Sequence, residues 1–184
     1  MNIAFRLLLT LNATLLLVII FLVQKGYSLG YFLGCTEGLE WVSQLPNAVS
    51  YGVYVLIPVL LTGLSILLSP GLGKDEFKAG ETVSIEYANN SFLPSYLGYF
   101  FVALSISNWE TLWFVYGVLF VFTYLSQALY FNPLFLLFGY EFYNITTKSG
   151  RAIFLISRHR YSKPDEVEIP LAYRINNYTF LEHK

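Results

Sequence analysis

Few side chains in this sequence have types and spacings that support catalysis or ligand binding. There are two histidines, His159 and His183, and a single cysteine, Cys35. A zinc site needs a set of Cys, His or carboxylate ligands at short spacing, and neither histidine has such a set around it. One cysteine excludes an internal disulfide framework. The sequence contains no Gly-x-Ser-x-Gly elbow, no phosphate loop and no HExxH. The expectation is therefore a non-enzymatic chain with no catalytic, cofactor-binding or metal residues and no cofactor.

Three other groupings invite a binding or mechanical reading. Arg158-His159-Arg160 with Lys163 is a basic cluster suited to anionic lipid headgroups or a partner protein. Asp165, Glu166 and Glu168 follow at once and offset it, so a solvated turn is the alternative and direct nucleic-acid binding is not expected. Gly26, Gly30, Gly34 and Gly38 recur every four residues. On a helix that spacing lines one face and permits close packing against another copy, whereas in a loop the same glycines serve turns. Asn132-Pro133 interrupts a long apolar run. Proline removes a backbone donor and disfavours helix in the residue before it, so this pair is a candidate hinge.

The elements that hold these groups follow from where charge is missing. The chain has 184 residues, 55% of them hydrophobic and only 12% charged, about half the usual charged share. Mean hydropathy is +0.54. That composition excludes a simple soluble enzyme and intrinsic disorder. Asp, Glu, Lys and Arg are absent from Leu7–Gln24, Trp41–Gly73, Tyr87–Trp109 and Thr111–Tyr140. A membrane span needs roughly 20 mostly apolar residues. The gaps predict an all-α membrane protein with four transmembrane helices near residues 7–23, 51–69, 92–107 and 111–130. The last helix ends near Phe131 or continues, kinked, to Phe138.

On this reading residues 1–139 form the four-span domain, with a cytoplasmic loop at about 70–88. Residues 140–184 form a small β-rich cytoplasmic tail of three or four short strands. Glu81–Tyr87 reads as an extended piece able to pair with that tail. Ten of the eleven Lys and Arg fall on one side of this topology, which assigns both termini to the cytoplasm. Asn12, Thr10, Thr14, Thr62, Ser65, Ser126 and Gln127 lie inside the spans. Ser and Thr are expected to bond their own helix, and Asn12 a neighbouring one. Trp41, Trp109 and Trp113 fall at the predicted outer boundary and Tyr130, Tyr140 and Tyr143 at the inner one, as interfacial anchors do.

The exit from the last apolar run carries a resemblance. Asn132-Pro133-Leu134-Phe135-Leu136-Leu137-Phe138-Gly139-Tyr140-Glu141-Phe142-Tyr143, the turn Lys148-Ser149-Gly150, and Ile153-Phe154-Leu155-Ile156-Ser157-Arg158 resemble KwaA-like membrane subunits of the bacterial Kiwa anti-phage defence system. The resemblance implies a homo-oligomer in the inner membrane that senses infection. It also implies a soluble DNA-binding effector partner, KwaB. The function expected is a sensor and scaffold that recruits or controls that effector. An oligomeric channel or membrane-permeabilising effector is the alternative.

Overall fold

The computed structural model describes residues 3–34, 36, 38–90, 93–126 and 132–182. Six helices are described: α1 (Ile3–Gln24), α2 (Leu29–Leu33), α3 (Asn47–Leu68), α4 (Leu93–Ser105), α5 (Trp109–Ser126) and α6 (Leu134–Leu137). The strands are β1 (Gly73–Phe77), β2 (Thr82–Tyr87), β3 (Glu141–Thr147), β4 (Ala152–Ser157), β5 (Ile169–Arg174) and β6 (Thr179–Glu182).

Helix α1 is the centre of the helical part and packs on α3, α4 and α5. Its far half buries Leu17 and Phe21 against Ala103, Ile106 and Leu112. Gly26, in the left-handed region at φ 71°, ends α1, and the Tyr27 N–H reaches back to the Leu22 carbonyl (3.0 Å). Asn108 caps α5 by accepting from the Thr111 N–H (2.8 Å).

The strands form one mixed sheet in the order β1-β5-β6-β4-β3-β2. Only β4 and β6 pair in parallel. Side chains alternate between two cores, with a break in β5 where the β1–β5 register shifts. Phe142, Phe154, Ile156, Tyr173 and Leu181 face the helices and pack with Phe5, Leu9 and Phe135. Tyr143, Ile145, Ile153, Leu155, Ala172 and Phe180 face the other way, under Tyr161 and Val167 from the β4–β5 connection.

The sheet must be strongly curled. β1 and β2 are its two edges, yet only a turn at residues 78–81 joins them, closed by the Glu81 N–H on the Lys78 carbonyl (3.1 Å). Six flat strands about 4.8 Å apart would separate the edges by ~24 Å. Five residues of chain reach at most ~17 Å. Curling brings the edges together and wraps the second core inside.

This architecture corrects the all-α, four-span expectation. The chain is mixed α and β, and the sheet is not confined to the tail, because the segment between α3 and α4 supplies both edge strands. Among the described residues two helices, Ile3–Gln24 and Asn47–Gly71, are long and apolar enough to cross a membrane. α4 has 13 residues and α5 has 18. At 1.5 Å per residue they measure ~20 and ~27 Å, short of the ~30 Å hydrocarbon core. A charge-free stretch reports missing charge, not helix length. Tyr87–Trp109 spends residues on the end of β2, the turn after it and the bend at 106–108. The predicted positions Gln127, Tyr130 and Phe131, with His183, lie outside the described residues.

α3 turns apolar side chains outward; Leu60 and Leu67 are 62% and 77% exposed. A helix buried in a soluble core would cover them, so the two long helices suggest association with a membrane. The second core is expected to set the stability of the sheet. Leu155→Ala, at a fully buried position, should cost about 2–5 kcal/mol by denaturant unfolding. Val83→Ala, on an exposed face of β2, should cost less than about 0.5 kcal/mol.

Candidate functional site at the helix–sheet junction

The two ends of α1 meet different surroundings. Its N-terminal turns pack on the sheet through Phe5 and Leu9, and its C-terminal turns pack near Tyr27 and Trp109. At that far end Trp109 Nε1 donates to the Tyr27 hydroxyl (3.2 Å), and Trp113 stacks on Trp109. Among the described residues only Lys25 places a basic side chain there; the other Lys and Arg lie at the sheet end, on α1's first turns or on the sheet and its loops.

Three side chains join α1, α3 and the entry to α6 in the apolar bundle. Asn12, Thr62 and Asn132 are each at most 2% exposed. Asn12 Oδ1 accepts from Thr62 Oγ1 (2.7 Å) and Asn132 Nδ2 (2.8 Å), while its Nδ2 donates to the Pro58 carbonyl (3.2 Å). Asn132 Nδ2 also donates to Thr62 Oγ1 (2.9 Å). Asn132 Oδ1 accepts from the Leu134 N–H (3.0 Å) and so starts the turn into α6, with Pro133 at its beginning. In a medium of low dielectric such a closed set is costly to open. Of the other polar residues read inside the spans, three bond their own helices: Thr10 to the Arg6 carbonyl, Thr14 to that of Thr10, and Ser65 to that of Leu61.

The segment from Asn132 to Tyr140 carries this bracing directly into the sheet. Gly63 on α3 leaves room for the Phe138 ring, which a Cβ there would meet at 3.3 Å. Phe135 is buried edge-on against Tyr140 and Phe142. Gly139 turns the chain at φ 76°, and β3 begins two residues later. The candidate hinge at Asn132 and Pro133 is thus placed where bundle and sheet are joined, with its asparagine held on both sides.

The basic cluster occupies the connection after β4. Arg158 lies over the Tyr140 ring at 4.6 Å. The exposed Arg160 pairs with Glu141 (2.8 Å), and the His159 ring lies tilted against Tyr161 with centroids 5.6 Å apart. The Lys163 backbone N–H donates to Glu166 (3.3 Å). Sequence reasoning missed what holds this loop. Tyr161 is buried and donates to Glu182 (2.9 Å), and Ser157 donates to the other oxygen of that carboxylate. Tyr143 donates to Glu141 (2.7 Å) and accepts from the Tyr161 N–H (3.3 Å). A buried tyrosine amid basic residues was the available signal.

The outer glycines are each explained within one chain. Gly26 and Gly38 have positive φ. Gly30 and Gly34 lie against Ser43, where a Cβ on Gly30 would come within 2.7 Å of the Ser43 Cα. They let α2 approach the turn at Glu40–Gln44. Among the described residues no three His, Cys, Asp or Glu side chains lie together as a metal site.

A family model described as "Anti-phage protein KwaA" matches residues 5–181, nearly the whole chain. The chain belongs to the KwaA family. That membership assigns it a role in anti-phage defence, as the resemblance of the Asn132–Arg158 stretch implied. No curated protein and no solved structure matches it. For this KwaA-family chain the match takes in both long apolar helices and every strand of the sheet, apart from the first two residues of α1 and the last residue of β6.

Two measurements test the junction. Asn12→Leu with Asn132→Leu should show a coupling of about 0.6–1.7 kcal/mol in a double-mutant cycle read by thermal unfolding in detergent. Burial foremost, and then Glu141 and Glu182 respectively, push the Tyr143 and Tyr161 hydroxyls above the ordinary 10.0. The folded state holds those protons more tightly than the unfolded chain. Their stabilisation is whole below pH 10.0 and is lost as pH rises above it. Tyr161→Phe should reduce the alkaline loss of sheet structure measured by circular dichroism.

Proposed function

We propose that this protein is a non-enzymatic membrane sensor and scaffold in anti-phage defence, and that it recruits or controls a soluble DNA-binding effector at the bacterial inner membrane. The observation that carries the reading is the joint construction of the sheet. A folded polar module sits at one end of two long apolar helices and is tied to them by β1, β2 and the braced 132–140 segment. Basic residues gather at that end, so it faces the cytoplasm under the positive-inside rule, as both described ends of the chain then do. A shift of α1 or α3 would pass through Asn132 to β3 without crossing a flexible linker. The exposed loop bearing Arg158, His159, Arg160 and Lys163 is the docking surface, for an acidic patch on the effector.

Homo-oligomer formation in the bilayer belongs to the same reading, with the outward apolar faces of α3 and α5 available to neighbouring copies. Charge reversal tests the docking role without dismantling the sheet. Arg158→Glu, Arg160→Glu and Lys163→Glu together should abolish most capture of the effector in membrane pull-downs, while circular dichroism stays unchanged. Undiminished capture would sink the proposal.

A further inference from the structure

At the opposite end of β4 from the basic loop, a cleft of about 530 Å³ opens into the second core. Phe77, Ile153 and Phe180 line its apolar part, and the rings of Phe77 and Phe180 meet edge to face at 5.1 Å. Its volume lies within the range of small-molecule sites, which favour the mouths of curled or barrel-like sheets. The cleft exists because the sheet curls, bringing β1 up to the tip of the β3–β4 hairpin.

The charges around it are unequally satisfied. Asp75 is bound by Arg174 through two hydrogen bonds of 2.6 and 2.8 Å. Glu76 pairs with Lys78, and Glu81 accepts the Lys78 N–H. Among the described residues Lys148 and Arg151 have no ion-pair partner, and both line the cleft. They bracket the hairpin turn, where Gly150 has φ 77° and the Thr147 and Ser149 hydroxyls lie 2.9 Å apart. Two free cations beside the Ser149 hydroxyl form a donor set suited to a tetrahedral oxyanion, while the Thr147 hydroxyl donates to the Arg151 carbonyl (3.2 Å) and braces the turn. The adjoining aromatic floor suits a planar ring.

We propose that this cleft binds a nucleoside phosphate, with the base over Phe77 and the phosphate between Lys148 and Arg151. The site is separate from the effector-docking loop and stands whether or not that docking role is correct. Binding is chosen by the conjunction of ring and anion, since neither half of the cleft alone holds a small ligand well.

The test is a ligand-observed NMR titration of the full chain in nanodiscs with adenosine 5′-monophosphate, adenosine and inorganic phosphate as separate arms. The monophosphate should bind at least about tenfold more tightly than either fragment. Lys148→Ala with Arg151→Ala, both on an exposed turn, should weaken it by about tenfold or more, and Arg151→Lys should recover part of the loss. Arg158→Ala with Arg160→Ala, at the other end of β4, should leave it unchanged. Equal binding of the three probes, no binding of the monophosphate, or binding indifferent to the Lys148 and Arg151 changes would overturn the proposal.

Discussion

The structure depends on one pairing constraint. A single short connection between α3 and α4 gives the sheet both its edges, pairing β1 with β5 and β2 with β3. A turn at 78–81 cannot reach across a flat six-stranded sheet, so the sheet curls. The curl encloses the second core and opens the cleft at its mouth. The same pairing holds the end of α3, the start of α4 and the start of β3 at one end of the bundle. The helical part is consequently tied to the sheet by strand hydrogen bonds on both sides of that turn.

A second interaction reinforces the first from inside the helices. Asn12, Thr62 and Asn132 pair only with each other, with α3's backbone and with the turn they start. Water can replace none of those partners in an apolar bundle, so the arrangement of α1, α3 and the exit segment is specified more sharply than Leu and Phe contacts alone would specify it. At the surface of the sheet, Tyr161 and Glu182 do the corresponding work for the basic loop. They hold a charged, exposed segment in one shape, as a binding surface requires.

Much of the local structure was legible in the sequence. The two long helices show as the charge gaps Leu7–Gln24 and Trp41–Gly73, and the strands of the tail as apolar runs between turn residues. Asn12 could be read as an interhelical partner because an isolated amide in an apolar run needs one. The span count was not legible, because uncharged Tyr87, Asn89, Asn90, Ser107 and Asn108 form strand ends and turns as readily as they continue a helix. Sheet order was hidden too. Glu81–Tyr87 reads as extended, but nothing local in Gly73–Phe77 says that it reaches the far edge. The junction was legible as Asn132-Pro133 and not as Thr62 or Gly63, whose partners are fifty or more residues away. The cleft depends on long-range curl and left no local mark at Lys148 or Arg151.

The place of β6 in the sheet has a consequence for biosynthesis. It is the last strand in chain order, yet it lies in the interior between β5 and β4. During synthesis the helices emerge first, and β1 and β2 then wait with open edges for partners more than fifty residues downstream. Until β6 arrives, β1–β5 and β2–β3–β4 are two separate ribbons with unpaired inner edges, the kind of surface that draws aggregation or proteolysis. Closure of the sheet therefore waits on β6: a chain that stops before Thr179 has its helices made and its sheet in two halves.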